Sequence, residues 1–383
     1  MALSKIDVAN MLTGEVPNDN VANLPASKLE NDINFRNIII NGDMSIAQRA
    51  TSAASLTGSS YETVDRFKQE ISSMGTWTQS QSTTVPSGQG FATSLKMDCT
   101  TADASPAASD YIFITQKIEA QNLQYLKKGT SSAEQLTLSF WVRSNKTGTY
   151  IARLRDADNS RSTSKSYTIS SADTWEKKTI TYDADTTGTL NNDNGTGLQL
   201  YFYLGAGTDY TSGSLATTWE SNTNANNAVG QVNLADSTSN EWYITGVQLE
   251  AGTAASDFEF LPYDINKNRC YRYYYKIAPS GLKFVGYAQV DNDNVACVAI
   301  IDFLVAMRAA PTSVEAPSSA SAYKLREALT YSCTAVPTFN TATTYNSSLS
   351  FKLQDVTSSS GFAQGELLKA GLSGATLAWS AEL

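Results

Sequence analysis

Two pairs of carboxylates, Asp156 with Asp158 and Asp291 with Asp293, are the first residues in this chain whose type and spacing could do chemistry. Glycosidic cleavage needs only two acids at a set separation, so such pairs qualify on residue type alone. Their surroundings favour another role. Each pair stands among Asn, Ser or Gly in a turn-like stretch, where Asp holds the backbone for local reasons. The chain contains no histidine, which removes Ser-His-Asp and Cys-His triads and His-ligated zinc. Phosphate-cradling glycine loops and dinucleotide fingerprints are also absent. The expectation is a protein with no catalytic residue, no metal ligand and no cofactor.

Aromatic residues are the other chemical resource. The apolar face of a pyranose packs on a flat ring, while nearby amides, carboxylates and guanidinium groups satisfy its hydroxyls. Of the six tryptophans, Trp77, Trp141, Trp175 and Trp242 lie in alternating segments that assign them to the core or its border. Tyr210 and Trp219 stand instead in the polar stretch 205 to 239. They are the candidate carbohydrate-binding residues, and anchoring of that loop is the competing role. The cluster Tyr271, Tyr273, Tyr274 and Tyr275 suits packing between domains or subunits better than ligand stacking.

The elements that must position these residues follow from composition and period. At 383 residues the chain exceeds the usual size of one core, so two domains and a short arm are expected. Only 17% of residues are charged, and Ser, Thr, Asn and Gly fill the gap, as in strand-rich and turn-rich proteins. The net charge of −9 opposes contact with phosphate backbones, so nucleic acid is not an expected partner. No apolar run reaches the length of a bilayer span, and the basic-then-apolar order of a secretion signal is missing, so membrane insertion is not expected. The wide spacing of Cys99, Cys270, Cys297 and Cys333 fits buried free thiols, with one long-range disulfide as the other option.

Residues 1 to 36 carry a short apolar helical pattern through Leu3, Ile6, Val8, Met11 and Leu12 and are then broken by Pro17 and Pro25. Such an arm suits docking on another subunit. From 37 to 262 about ten strands are expected, separated by Gly, Ser, Asn and Asp clusters. Leu136, Leu138, Phe140 and Val142 share one face, as do Leu198, Leu200, Phe202 and Leu204, and each such strand is expected to bury one face only. The apolar phase slips at Gly246, which predicts a β-bulge. Asp264 is placed to cap a short helical turn. Residues 263 to 383 alternate again, in 282 to 290, 295 to 307 and 349 to 356, and form a smaller β-rich unit.

The ordered set Asn41-Gly42-Asp43-Met44, Gln116-Lys117-Ile118-Glu119, Phe140-Trp141-Val142 and Ile244-Thr245-Gly246-Val247-Gln248-Leu249-Glu250 resembles the carbohydrate-binding jelly rolls of bacteriophage tail-fibre and related virion attachment proteins. Met307-Arg308-Ala309-Ala310-Pro311-Thr312 and Trp379-Ser380-Ala381-Glu382-Leu383 resemble the C-terminal segments of such fibres. The resemblance implies an all-β fold, with a jelly-roll β-sandwich ahead of the smaller C-terminal domain. It further implies a homotrimer in the virion, held to other virion proteins through the arm and contacting host surface polysaccharide or glycan. A typical module of this kind has an Asp inside its last strand that assists a structural calcium ion. Thr245-Gly246 takes that place here, so no metal ligand is carried over. A capsid-attached fibre or decoration protein, a structural spacer without ligand and a polysaccharide depolymerase are the alternatives. The last would normally carry a repetitive β-helix, and no repeat is visible.

Overall fold

The computed structural model describes residues 35–290, 296–326, 330–352 and 367–383. The expected docking arm therefore lies outside the described residues, apart from Phe35 and Arg36, and so does the pair Asp291 and Asp293. Among the described residues the first unit is a sandwich of two antiparallel sheets. One runs β1 (Ser52–Leu56), β3 (Thr76–Ser82), β4 (Ser94–Thr101), β12 (Glu241–Ala251), β6 (Leu136–Ser144) and β9 (Glu176–Tyr182). The other runs β11 (Glu220–Ser221), β8 (Arg161–Ile169), β7 (Gly148–Asp156), β10 (Thr196–Ala206), β5 (Tyr111–Glu119) and β2 (Lys68–Ser72). Apart from the hairpins β3–β4 and β7–β8, the paired strands are not consecutive in sequence, as in a jelly roll.

The period-2 pattern explains the core. Leu138, Phe140 and Val142 of β6 face Leu198, Leu200 and Phe202 of β10 across the sandwich, and all six are fully buried. The Phe140 ring meets Tyr167 and Phe202 edge-on, each at 5.0 Å, the geometry that aromatic quadrupoles favour. The expectation of one buried face per strand fails for β10 and β12, which bury both. On β10 the outward Tyr201 and Tyr203 pack with Phe113, Ile151 and Ala228. The covering segment is 207 to 235, which folds as α1 (Thr208–Thr211), β11 and two short 3-10 turns. The bulge at Gly246 is present: the register of β12 with β6 shifts between Thr245 and Gln248, and Gly246 has φ of 62°. A Cβ there would also lie 2.5 Å from Phe91, so only glycine fits.

Helix α2 (Tyr263–Tyr271) opens the second unit. Its N-cap is Pro262, with no side-chain cap. The expected cap Asp264 sits instead within the first turn, where its charge complements the helix dipole. Next come β13 (Tyr274–Ile277), β14 (Leu282–Val290), β15 (Ala296–Asp302), β16 (Tyr323–Arg326), β17 (Thr330–Ser332), β18 (Thr338–Ala342), β19 (Asn346–Lys352), β20 (Leu367–Ser373) and β21 (Leu377–Ser380). β13 pairs with β21, and the rest form a sheet in the order β17-β16-β20-β14-β15-β19-β18. Tyr275, Phe303 and Trp379 centre its core, with ring centroids 5.3 to 6.1 Å apart.

The two units are joined by polar contacts as well as packing. The fully buried Arg66 of the sandwich pairs with Glu382 and lies 3.5 Å over the Tyr273 ring. Arg308 of the second unit donates through Nη1 to the Asn194 carbonyl of the sandwich at 3.1 Å, and Asn194 Nδ2 donates back to the Arg308 carbonyl at 2.6 Å. Cys99 and Cys270 are buried free thiols, as expected; Cys333 is buried in the second unit, and the side chain of Cys297 lies outside the described residues. Among the described residues no helix is long and apolar enough to cross a membrane.

Candidate functional site

Tyr210 and Trp219 lie on opposite flanks of the second sheet. Tyr210 packs edge-on against Tyr111 of β5 at 5.5 Å, while Trp219 precedes β11 on the far edge. Trp219 Nε1 donates to the Asp183 carbonyl at 2.8 Å, and the Lys128 ammonium stands 5.1 Å over its ring. Both side chains are half-buried and hold the covering segment to the sheet. In the tyrosine cluster, Tyr273, Tyr274 and Tyr275 are buried and Tyr271 is half-buried, with Tyr275 in the core of the second unit.

Asp156 and Asp158 sit at the turn after β7. Asp158 accepts from Asn191 N and Nδ2, both at 2.9 Å. Asp156 is fully buried and accepts from Asn159 N and Nδ2 and from Lys128 Nζ. Lys128 also reaches Asp185 Oδ2 at 2.9 Å and the carbonyls of Thr187 and Gly188 at 3.2 and 2.9 Å. Two carboxylates and two carbonyls thus surround an ammonium much as hard oxygens surround a metal cation. Burial pushes the Asp185 carboxyl up, but hydrogen bonds from Arg161 and Lys128 outweigh it and hold the group below its ordinary range. Among the described residues no group of three or more His, Cys, Asp and Glu is placed to hold a metal ion.

A concave feature with accessible aromatic rings lies elsewhere. β2 pairs with β5 only from Tyr111 to Thr115. Beyond that point the flank of β5 is bordered by residues 37 to 40, where the Gln116 side chain exchanges two hydrogen bonds with the Ile40 backbone at 2.8 and 2.9 Å. The 3-10 turn Ala120–Leu126 and the end of α2 close the other sides. They enclose a cleft of about 380 Å³ whose lining includes Phe35, Lys117, Asn122, Tyr125, Arg269 and Arg272. Phe35 is 59% and Tyr125 50% exposed, so both rings present area to an incoming molecule. Leu123 and Leu126 of the same turn are buried, and that fixes Tyr125 outward.

The electrostatics of this cleft are one-sided. Among its described lining residues there is no Asp or Glu. Arg272 is neutralised by Glu119, which accepts from Arg272 Nε and Nη2 at 2.7 Å each and from Tyr273 and Gln121 as well. Burial opposes ionisation of Glu119, yet these donors hold its carboxyl below the ordinary range. Arg269 donates to the Asn37 carbonyl at 3.4 Å and has no ion pair among the described residues. Burial lowers its guanidinium from its usual value. Burial likewise lowers the Lys117 ammonium, and the like charges of Lys68, Arg66 and Arg155 add to this, whereas Glu70 opposes. The arrangement offers flat apolar rings, an amide and cations, and no acid–base pair.

These residues escaped the sequence reading because positions 35, 117, 125 and 269 become neighbours only through the fold. The available signal was Tyr125: in Ala120-Gln121-Asn122-Leu123-Gln124-Tyr125-Leu126 it is the large ring out of phase with the two leucines.

No protein-family model and no curated protein matches this chain. Among solved structures, the chain overlaps the enzymatically active domain of bacteriophage CBA120 tailspike protein 4 at 15% identity and a TM-score of 0.29, over 56% of this chain and 21% of that one. It thus spans about a fifth of that structure's length. It also overlaps a putative sugar binding protein from Bacteroides thetaiotaomicron at 12% identity and a TM-score of 0.31, over 56% of this chain and 99% of that one. TmCBM61, solved with β-1,4-galactotriose, overlaps at 11% identity and a TM-score of 0.28, again over 56% and 99%. Superpositions this loose carry no argument about ligand, and the sandwich assignment stands on the strand order.

Proposed function

We propose that this protein is a non-catalytic attachment protein of a bacteriophage particle that holds host-surface glycan in the cleft between β5, the Ala120–Leu126 turn and α2. The observation that carries the reading is the exposure of Phe35 and Tyr125 at one cleft beside Asn122 and the cations Lys117 and Arg269. Exposed rings are available for the apolar face of a sugar, and amides and cations for its hydroxyls. The virion assignment, on a tail fibre or on the capsid surface, draws on the sequence resemblance. So do the homotrimer and docking of the arm on other virion proteins.

The test is competition of purified protein with virus adsorption, together with direct binding to host-envelope polysaccharide. Tyr125→Ala and Phe35→Ala should each weaken both by roughly tenfold, on the order of one hot-spot ring. Their melting temperatures should stay within about 2 °C of the parent, since half-exposed rings contribute little to stability. Unchanged competition in the double variant would remove the cleft from recognition. Failure of the parent protein to compete would leave a structural spacer. Release of reducing ends from the polysaccharide would point to a depolymerase.

A further inference from the structure

We infer that the glycan is acidic: the cleft continues onto a cationic row on the outer face of the second sheet that fits a carboxylate-bearing saccharide. In the register of that sheet Gln199 of β10 lies opposite Lys117 of β5 on one side and Arg155 of β7 on the other. Residues paired this way share a face, and two strand spacings separate Lys117 from Arg155 by about 10 Å between Cα atoms. The intervening residues Leu198 and Leu200 point into the core, so the row faces outward. The segment 207 to 235 covers the neighbouring Tyr201 and Arg153, the latter through Asn222. It leaves Lys117 and Arg155 half-exposed.

Three polar side chains in this row lack partners. Among the described residues Lys117 and Arg155 form no side-chain hydrogen bond or ion pair, although Lys68 on the adjoining strand is paired with Glu70 at 3.0 Å. Gln199 is only 4% exposed and likewise has no side-chain hydrogen bond among the described residues. Next to it the buried Thr115 hydroxyl has no partner. Two unmatched cations on either side of one amide repel each other unless something supplies negative charge. Lys117 also lines the cleft, where Arg269 is a further cation without a carboxylate. In a chain of net charge −9 this concentration of unmatched positive charge is local. A saccharide seated on Phe35 and Tyr125 would extend its carboxylates to Lys117 and Arg155, whose charge-assisted hydrogen bonds are the strong ones.

This inference rests on the cleft being a glycan site, and the test separates the two. Full-length protein is assayed on immobilised polygalacturonate, alginate, hyaluronan and polysialate, and on the carboxyl-reduced form of each, with inorganic phosphate and single-stranded DNA as competitors. Preference for at least one acid over its reduced form by about tenfold or more, weakening from 50 to 500 mM salt, is expected. Arg155→Gln should lose about tenfold toward the acid and leave the reduced form unaffected, Lys117→Gln should lose more toward the acid than toward the reduced form, and Lys117→Arg should retain binding. Equal binding of acid and reduced form overturns the inference and leaves the glycan site standing. Absence of binding to every member overturns both. Displacement by millimolar phosphate together with indifference to Tyr125→Ala would mark a general anion site, and tighter binding of DNA a different ligand class. Either result overturns the acidic glycan.

Discussion

Replacing Lys128 by Met tests how the sandwich is held at the end of β7. The ammonium is nearly buried and contacts two carboxylates and two carbonyls. Asp185 would keep Arg161, which binds it through Nε and Nη2 at 2.9 Å each, and the Thr187 amide. Asp156 would keep only the Asn159 donors and would be left as a fully buried charge without a cation. Breaking one side of a buried ion pair costs about 3–5 kcal/mol. For a unit of this size each kcal/mol moves the melting temperature by roughly 2–4 °C, so a drop of about 6–20 °C is expected in a thermal melt. Lys128→Met with Asp156→Asn should recover more than half of that loss, because the stranded charge is gone. Lys128→Ala should regain stability in millimolar calcium, since the vacated site keeps hard oxygen donors. A Lys128→Met protein melting within 2 °C of the parent would refute the assignment of this cluster as a structural keystone.

Other expectations follow from particular contacts. Burial raises the Asp65 carboxyl to about 6 from 3.8, against hydrogen bonds from Gln48 that lower it. A group whose folded value is raised binds its proton more tightly in the native state, so its destabilisation is full above pH 6 and relieved as pH falls toward 4. Melts of the parent and Asp65→Asn should therefore diverge in the parent's favour by up to about 3 kcal/mol from pH 7 to 4, and parallel curves would refute the shift. Trp219→Ala should lower the melting temperature by the equivalent of about 1–3 kcal/mol, through loss of the Asp183 hydrogen bond and of packing under Lys128. If Trp219→Ala or Tyr210→Ala instead melts like the parent but competes poorly for adsorption, that ring belongs to the binding surface. Leu282, Phe284, Tyr287, Val298 and Ile300 expose 37 to 59% of their surface on β14 and β15, and this is the face on which contacts of the proposed homotrimer are expected. Light scattering should show trimers for the parent and monomers for Ile300→Lys, and a monomeric parent would end that expectation.

Much of the architecture was legible in the sequence because strand patterning is local. Leu136 to Val142 and Leu198 to Leu204 alternate with period 2, and the side chains that alternate inward are those in the core. Gly246 marked its bulge because the apolar phase slips at that one residue. Asp156 read as a turn residue for the same reason, since its amide partner Asn159 is three residues on, whereas Asp158 is held by the distant Asn191. Whether the outer face of a strand meets water was not a local property. Tyr201 and Tyr203 are buried because 207 to 235 folds back over them, and nothing in β10 itself signals that cover. The Lys128 cluster, the cleft and the cationic row required tertiary structure for a stronger reason. Each brings together side chains tens of residues or more apart in the chain, in the cationic row through adjacent strands, as with Lys117, Arg155 and Gln199. Sequence set which residues were chemically able to bind, and strand order together with register decided which of them stand side by side.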